Sequence, residues 1–314
     1  MSEMSSLVSV IIPTIDRPEE LLRAVDSVVK QTYDEIEIVI IEEGGSEPNV
    51  PSLLRSNGID LSDIVHLFNE EPSGLAAARN QAAERANGEY LAFLDDDDEW
   101  YPDKIEKQVS RLDDTGLDIC YTGVERIGPH GELRSTTIPD VEGDARPRAL
   151  RGSIIGPSVF MLSFEAFDTV GGFDDEIPYW EDWDFFLRLS KEYYFTGVHE
   201  TLTKTHAGAD DRLSDSFELA KQGGEYLLNK HCPIEYDGLF STTRRFKSRV
   251  WQGVGRSALM NGHYSDSRRF FRRSLRQWPF DTQLIIYTGL SIGGQPVLNL
   301  AKKAKREVVI RRNS

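Results

Sequence analysis

Four aspartates in a row, Asp95 to Asp98, follow the apolar run Tyr90 to Leu94, and no other stretch of the chain is so plainly equipped for chemistry. At an effective dielectric near 20, carboxylates about 4 Å apart repel by roughly 4 kcal/mol per pair. Water relieves that repulsion in a solvated acidic loop; where water is excluded, protons or a cation must do so. Oxygen donors alone suit a hard ion, Mg2+ or Mn2+, which keeps several waters and bridges to substrate phosphates. Charge leaves the two readings balanced. The position at the end of an apolar strand favours the cation.

A second group is Tyr179-Trp180-Glu181-Asp182-Trp183-Asp184-Phe185-Phe186-Leu187-Arg188-Leu189. Phe185, Phe186 and Leu189 supply a helical apolar stripe, so Glu181 and Asp182 fall in the first turn, among aromatic side chains that partly desolvate them. A carboxylate there can serve as a base, or it can simply balance the helix dipole. His206 follows a strand-like run and by itself is an ordinary structural or exposed histidine; Arg79-Asn80, inside an alanine-rich helical segment, suits a phosphate or base and equally a surface pair.

The elements that must position these residues alternate. Leu7 to Pro13, Ile36 to Ile41, Ile64 to Phe68, Tyr90 to Leu94 and Asp118 to Gly123 read as strands. Helical spacing runs from Pro18 through Val29, from Ser73 to Ala86 and from Pro102 to Leu112. Such alternation predicts right-handed βαβ units, a Rossmann-like, mainly parallel α/β sheet flanked by helices, and ligands beyond the carboxyl ends of its strands. The turns after Pro13, Ile41 and Leu94 all fall at that edge. Beyond about Asp210 the strand signal gives way to helical periodicity, and Arg245 to Pro279 hints at a single tetratricopeptide-like helix pair. The expected division is a catalytic domain over 1–210, with halves of about 1–100 and 100–210, and a basic helical appendage over 211–314.

Charge follows the same division. The net charge is -16, yet residues 241–314 hold 16 Lys+Arg against 3 Asp+Glu, leaving 20 bases and 49 acids in residues 1–240. A basic tail on an acidic body points to an anionic partner. Within it, Tyr264 to Trp278 is amphipathic: Arg268, Arg269, Arg272, Arg273 and Arg276 share one face, and Phe270, Phe271, Leu275 and Trp278 share the other. That apolar face would either dock on the protein or lie in a lipid interface, helped by Lys302, Lys303, Lys305, Arg306, Arg311 and Arg312. No nucleic-acid-reading module accompanies the charge, so nucleic acid is not the expected partner. There is no run of about 18 apolar residues, no signal-peptide pattern in Met1 to Ser6, and only two cysteines, Cys120 and Cys232. The expected location is the cytoplasm, peripheral to the inner face of the membrane.

Five segments together resemble glycosyltransferase family 2: VSVIIPTIDR (Val8 to Arg17), EIVIIEEGGS (Glu37 to Ser46), GLAAARNQAAERANGEYLAFLDDDD (Gly74 to Asp98), GGFDD (Gly171 to Asp175) and WEDWDFFLRL (Trp180 to Leu189). The resemblance implies a GT-A fold and an inverting, metal-dependent transfer from a nucleotide-sugar. It implies that Pro13, Asp16, Glu43 and Arg79 lie at the nucleobase and ribose. Asp95-Asp96-Asp97 matches the family's DxD motif, with Asp95 and Asp96 toward ribose and diphosphate and Asp97, with Asp95, on Mg2+ or Mn2+. Asp182 matches the general base, and His206 falls near a histidine that helps bind metal or diphosphate in some members. The second strand departs from the family's Asp-Asp-Gly-Ser, ending instead in Glu42-Glu43-Gly44-Gly45-Ser46, which reshapes the base pocket.

The acidic body and basic tail also look like haloarchaeal transferases of dolichol-phosphate-linked glycans for N-glycosylation of the S-layer, some of which move hexuronic acids. The implied donor is UDP-linked and the implied acceptor a lipid-linked glycan. The alternatives are a polyprenyl- or dolichol-phosphate sugar synthase and a non-catalytic sugar-nucleotide binder.

Overall fold

The computed structural model describes residues 5–153, 156–206, 216–232 and 242–312. The chain divides into two compact units, one of residues 1–146, 154–175 and 184–208, the other of residues 147–153, 176–183 and 209–314. The expected boundary near residue 210 lies outside the described residues.

The first unit is built on one nine-stranded sheet. Strands β1 (Val8–Thr14), β2 (Ile36–Glu43), β3 (Ile64–Asn69) and β4 (Tyr90–Phe93) run parallel in the order β3-β2-β1-β4. Beyond β4 the sheet becomes mixed. There β5 (Asp98–Trp100), β6 (Ile119–Ile127), β7 (Leu133–Thr137), β8 (Phe160–Ser163) and β9 (Phe195–His206) follow. β8 is antiparallel to β4 and β6, β9 is parallel to β6, and β5 and β7 pair antiparallel with β9 and β6.

All seven residues of β1 are buried, which is why its sequence is apolar except for Ser9 and Thr14. Val8, Val10 and Ile12 face Leu21, Ala24, Val25 and Val28 of α1 (Pro18–Val29). Ile11 faces the other way, with the alanines of α3 (Leu75–Ala83) and Phe93. Helices α2 (Val50–Ser56), α4 (Lys104–Thr115), α5 (Arg146–Ala149), α6 (Phe164–Thr169) and α7 (Glu181–Glu192), with a single 3-10 turn at Pro157–Val159, complete the described elements that precede residue 207. Phe185, Phe186 and Leu189 of α7 are buried with Phe160 and Phe195, as their spacing predicted.

Two helix starts differ from the sequence expectation. Ser73 does not open α3; Gly74, at φ 93, is its N-cap, and the Ser73 hydroxyl serves Glu43. α4 begins at Lys104 rather than Pro102. Strands β5 and β7 escape a sequence reading because they span three and five residues and carry the polar strings DEW and LRSTT.

The second unit is helical. α8 (Phe217–His231), α9 (Thr242–Met260), α10 (Tyr264–Gln277) and α11 (Thr282–Arg312) follow one another, and α11 is broken at Gly294 (φ 62, ψ -157). α9 and α10 form an antiparallel pair. Arg244 Nε donates to the Gln277 carbonyl (3.1 Å), Ser274 Oγ to the Ser248 carbonyl (2.7 Å) and Ser267 Oγ to the Gly255 carbonyl (2.9 Å). A Cβ on Gly255 would meet the Phe271 ring at 2.6 Å, so the two helices need a glycine at their closest approach. Phe270 and Phe271 are buried, Phe270 stacks on Trp251, and Arg273 lies over Trp251 at 5.1 Å. The apolar face of α10 is thus a docked face, which settles the choice left open for it. The side chains of Lys302, Lys303, Lys305, Arg306, Arg311 and Arg312 lie outside the described ones. Among the described residues no helix is long and apolar enough to cross a membrane, and Cys120 and Cys232 are free thiols.

Candidate active site

β4 delivers the four aspartates into a tight turn at the carboxyl edge of the sheet. The backbone N–H of Asp98 donates to the Asp95 carbonyl (3.0 Å), which closes the turn and starts β5. The four carboxylates then separate, with Arg17 shared between Asp96 and Asp97. Asp95 Oδ1 accepts from Arg79 Nη2 at 2.6 Å. Asp96 accepts from Thr14 Oγ1 (2.8 Å) and Arg17 Nη1 (3.1 Å). Asp97 Oδ2 is 3.9 Å from Arg17, and its carbonyl accepts from Arg23 Nη2 at 3.1 Å. Asp98 Oδ2 accepts from Ser158 Oγ at 2.6 Å.

Ser158 is 2 % exposed and also accepts from the Asp95 backbone N–H (3.1 Å). Its own carbonyl accepts from Trp100 Nε1 (2.7 Å) and Thr203 Oγ1 (3.3 Å). One hydroxyl therefore ties both ends of the aspartate turn to the interior. The repulsion among the aspartates is relieved by two arginines, Arg79 and Arg17, and by the hydroxyls of Thr14 and Ser158. Burial still dominates at Asp96, whose carboxyl is raised to about 6 despite Thr14 and Arg17, with Asp97 and Asp95 adding to the rise.

Donor chemistry decides whether a cation fits. The side chains of Asp95 and Asp97 keep 31 % and 19 % of their surface exposed, while Asp96 and Asp98 are buried. Among the described residues no three His, Cys, Asp or Glu groups converge as a metal cage. Mg2+ and Mn2+ need no cage when a substrate diphosphate supplies the remaining oxygens, so two partly exposed carboxylates fit such an ion. His206 ends β9, one register step beyond the Asp98–Thr205 pair, so it reaches the same edge. Its Nε2 lies 2.6 Å from Glu99, a carboxylate that also contacts Arg23 (3.2 Å) and Lys204 (3.8 Å).

The expected nucleotide residues gather at this edge too. Pro13 is buried in β1, paired with Ile41, and Asp16 is exposed in the left-handed region at φ 49. Arg79 is 1 % exposed, lies over the Phe173 ring at 5.1 Å and holds Asp95. Glu43 is engaged with its own loop: it accepts from Asn69 Nδ2 (2.7 Å), Ser73 N (2.9 Å), Ser73 Oγ (2.8 Å) and Gly74 N (3.0 Å). Its neighbour Glu42 lines a cavity of about 190 Å3 together with Thr14, Asp16, Arg17, Pro18 and Asn49. Glu42 is steadied there by the N–H of Asn49 (2.9 Å) and by His66 Nε2 at 2.9 Å. The altered Glu-Glu-Gly-Gly turn thus places the first glutamate, not the second, on the cavity wall. A larger cavity of about 740 Å3, lined by Asn87, Glu89, Asp113, Asp118 and Glu165 among others, lies at the opposite, amino edge of the sheet and contains none of these residues.

Asp182 belongs to the second unit, in the first turn of α7 as expected. Its Oδ1 accepts from the Trp183 N–H (2.7 Å) and its Oδ2 from Ser153 Oγ (3.1 Å). Trp180, just ahead of it, is held at φ 67, an uncommon conformation for a bulky residue. Its ring fills a slot over Gly224 and Gly253 and meets Trp183 edge-on at 5.6 Å. Trp183 is fixed in turn by its Nε1 bond to the Ala149 carbonyl (2.7 Å) and by Phe246. Thr14, Arg17, Glu42 and Ser158 are the site residues that sequence reasoning missed. For Arg17 a signal existed, a base directly after Asp16 at the end of β1. For buried Ser158 there was none.

The fold and the aspartate turn define a class that comparison with known proteins makes definite. The chain belongs to glycosyl transferase family 2, whose model matches residues 9–171. It is similar to the uncharacterized glycosyltransferase RT0329 of Rickettsia typhi, 32 % identical over 212 residues, covering 64 % of each chain. A Bacillus subtilis relative named for teichuronic acid biosynthesis, glycosyltransferase TuaG, is 33 % identical over 52 % of this chain and 65 % of its own. The match therefore spans less than two thirds of the length of these relatives. Among solved structures, S. aureus TarS 1-349 superposes with a TM-score of 0.60 at 15 % identity, covering 87 % of this chain and 81 % of that one. The Pyrobaculum calidifontis mannosyltransferase PcManGT, in complex with GDP-Man and Mn2+, gives 0.60 at 15 % identity over 99 % and 87 %. The fold is GT-A-like: a mixed sheet flanked by helices, followed by C-terminal helices.

Proposed function

We propose that the protein is an inverting glycosyltransferase that moves a sugar from a nucleotide-sugar, UDP-linked by preference, to a lipid-linked glycan. The observation that carries this reading is the aspartate turn at the carboxyl edge of a family 2 fold. Two of its carboxylates, Asp95 and Asp97, are partly exposed, and the other two are buried against Thr14, Arg17 and Ser158. The UDP and UDP-GlcNAc complexes of TarS support the donor class.

Asp97, with Asp95, would hold Mg2+ or Mn2+, which when bound offsets the charge growing on the departing diphosphate. The rest falls to the chain's own side chains. The cavity walled by Thr14, Asp16, Arg17 and Glu42 takes the nucleoside end. Arg79 keeps Asp95 oriented through its 2.6 Å contact. Asp182 accepts the proton of the acceptor hydroxyl, and its bonds to Ser153 and Trp183 fix the carboxylate for that task. A base acting on the face opposite the leaving group gives inversion, so an α-linked donor yields a β-linked product. A lipid-linked acceptor suits the basic tail. Placement in dolichol-phosphate-linked glycan assembly, with a hexuronic acid as the sugar, rests on the sequence resemblance alone.

The test is turnover of UDP-, GDP- and dTDP-sugars against membrane lipid extracts, with the lipid product read by mass spectrometry. Turnover should require added Mn2+ or Mg2+ and stop with EDTA. Asp182→Asn should lower kcat by about 10²–10⁴-fold while donor Kd stays near wild type. Near-normal turnover in that variant would remove Asp182 as the base.

A further inference from the structure

Thirteen large apolar residues are well exposed among the described ones, and six of them, Phe280, Ile285, Ile286, Ile292, Val297 and Leu300, fall between positions 280 and 300. α11 explains the concentration. One side of its first half is anchored: Leu284 and Ser291 are fully buried, and Tyr287 and Leu290 pack with Leu259 and Phe271. The other side ought to be polar if it faced only water, because a surface helix carries one apolar stripe. Here Ile285 and Ile292, seven residues apart and therefore on one stripe, are 59 % and 70 % exposed, with Ile286 beside them at 62 %. The helix is apolar on both sides.

The sequence that follows names the partner. Residues 282–314 contain six bases, Lys302, Lys303, Lys305, Arg306, Arg311 and Arg312, and a single acid, Glu307. The helix break at Gly294 separates this basic stretch from the isoleucine ridge. An apolar ridge joined to a cationic segment supplies the two signals that hold a protein at an anionic bilayer surface, where neither alone suffices. A second copy of the same surface would bring six bases against six, which disfavours self-pairing. We infer that the outward ridge of α11, and not the arginine-rich α10 whose apolar face is docked, enters the headgroup layer of an anionic membrane. This rests on the lipid-facing reading of the tail and says which residues make the contact.

The experiment is vesicle flotation of the full chain at low salt, on phosphatidylcholine alone and on phosphatidylcholine with phosphatidylglycerol. Wild type should float with the anionic vesicles. Ile285→Asn with Ile292→Asn should weaken that binding by about tenfold or more, with circular dichroism and Tm unchanged because both side chains face outward. Replacing Lys302, Lys303, Lys305 and Arg306 with Gln should remove the preference for anionic lipid. Three results would each overturn the inference: no flotation on anionic vesicles, flotation indifferent to the isoleucines, or a lipid-free dimer in light scattering that the isoleucine variant dissociates. Donor binding, measured on the same proteins without vesicles, reports separately on the proposed function.

Discussion

Replacing Ser158 with alanine removes one hydroxyl from beneath the aspartate turn and little else, since the residue is 2 % exposed and alanine fits its volume. Two bonds go: the 2.6 Å donation to the Asp98 carboxylate and the 3.1 Å acceptance from the Asp95 N–H. A hydrogen bond to a charged group contributes about 1.5–3 kcal/mol and a neutral one about 1 kcal/mol, so the loss is roughly 2–4 kcal/mol. For a domain of about 200 residues that lowers Tm by roughly 5–15 °C. Asp95 and Asp97 sit on the loosened turn, and misplacement of reacting groups by about 1 Å costs up to 10²-fold in rate. The assay pairs urea unfolding with donor kinetics at several Mn2+ concentrations. Donor KM and the Mn2+ requirement should rise more than kcat falls. A double-mutant cycle with Asp98→Asn isolates the Ser158–Asp98 bond and should show coupling of about 1 kcal/mol or more. Strict additivity of the two changes, or a Ser158→Ala protein with unaltered donor and metal affinity, would refute the reasoning.

Asp96 predicts a pH dependence. Burial holds its folded carboxyl at about 6, above the ordinary 3.8, so its charged form burdens the folded state above pH 6 and the burden lifts as pH falls toward 3.8. Asp96→Asn should therefore be more stable than wild type above pH 6, with the advantage fading as the medium is acidified; an advantage that grows toward acid would contradict the sign. Gly253→Ala would set a Cβ 2.7 Å from the Trp180 ring, an overpacking of about 1–3 kcal/mol. Because Trp180 leads directly into Asp182, kcat should drop about tenfold with donor Kd unchanged, and Trp180→Phe in the same chain should recover part of it. A kcat equal to wild type would mean that Trp180 does not position the base.

Much of this protein was readable from the order of its residues. β1, β2 and β4 announce themselves because central parallel strands are buried on both faces and so carry short apolar runs, as Val10–Pro13, Ile38–Ile41 and Tyr90–Phe93 do. α7 declares its start because Glu181 and Asp182 precede a stripe with helical spacing. The Asp95–Asp98 run stands out by charge alone, since nothing local offsets it. The helical second unit and its basic excess were legible for similar reasons: periodicity and composition are properties of the string.

What only the tertiary structure decided is which of those residues meet. Ser158 reaches Asp95 and Asp98 across about sixty positions of sequence, and Thr14 reaches Asp96 across 82. Neither contact leaves a trace in local pattern, because a buried hydroxyl is chosen for one distant partner and not for a period. Glu42 and Glu43 are indistinguishable as letters; alternation along β2 sends one to the cavity wall and the other to the Ser73–Gly74 turn. The amphipathic helix α10 was equally suited to protein or lipid, and Gly255 lets Phe271 settle the matter in favour of protein. Sequence determines which surfaces need covering; chain topology determines what covers them, and that leaves the isoleucines of α11 outside.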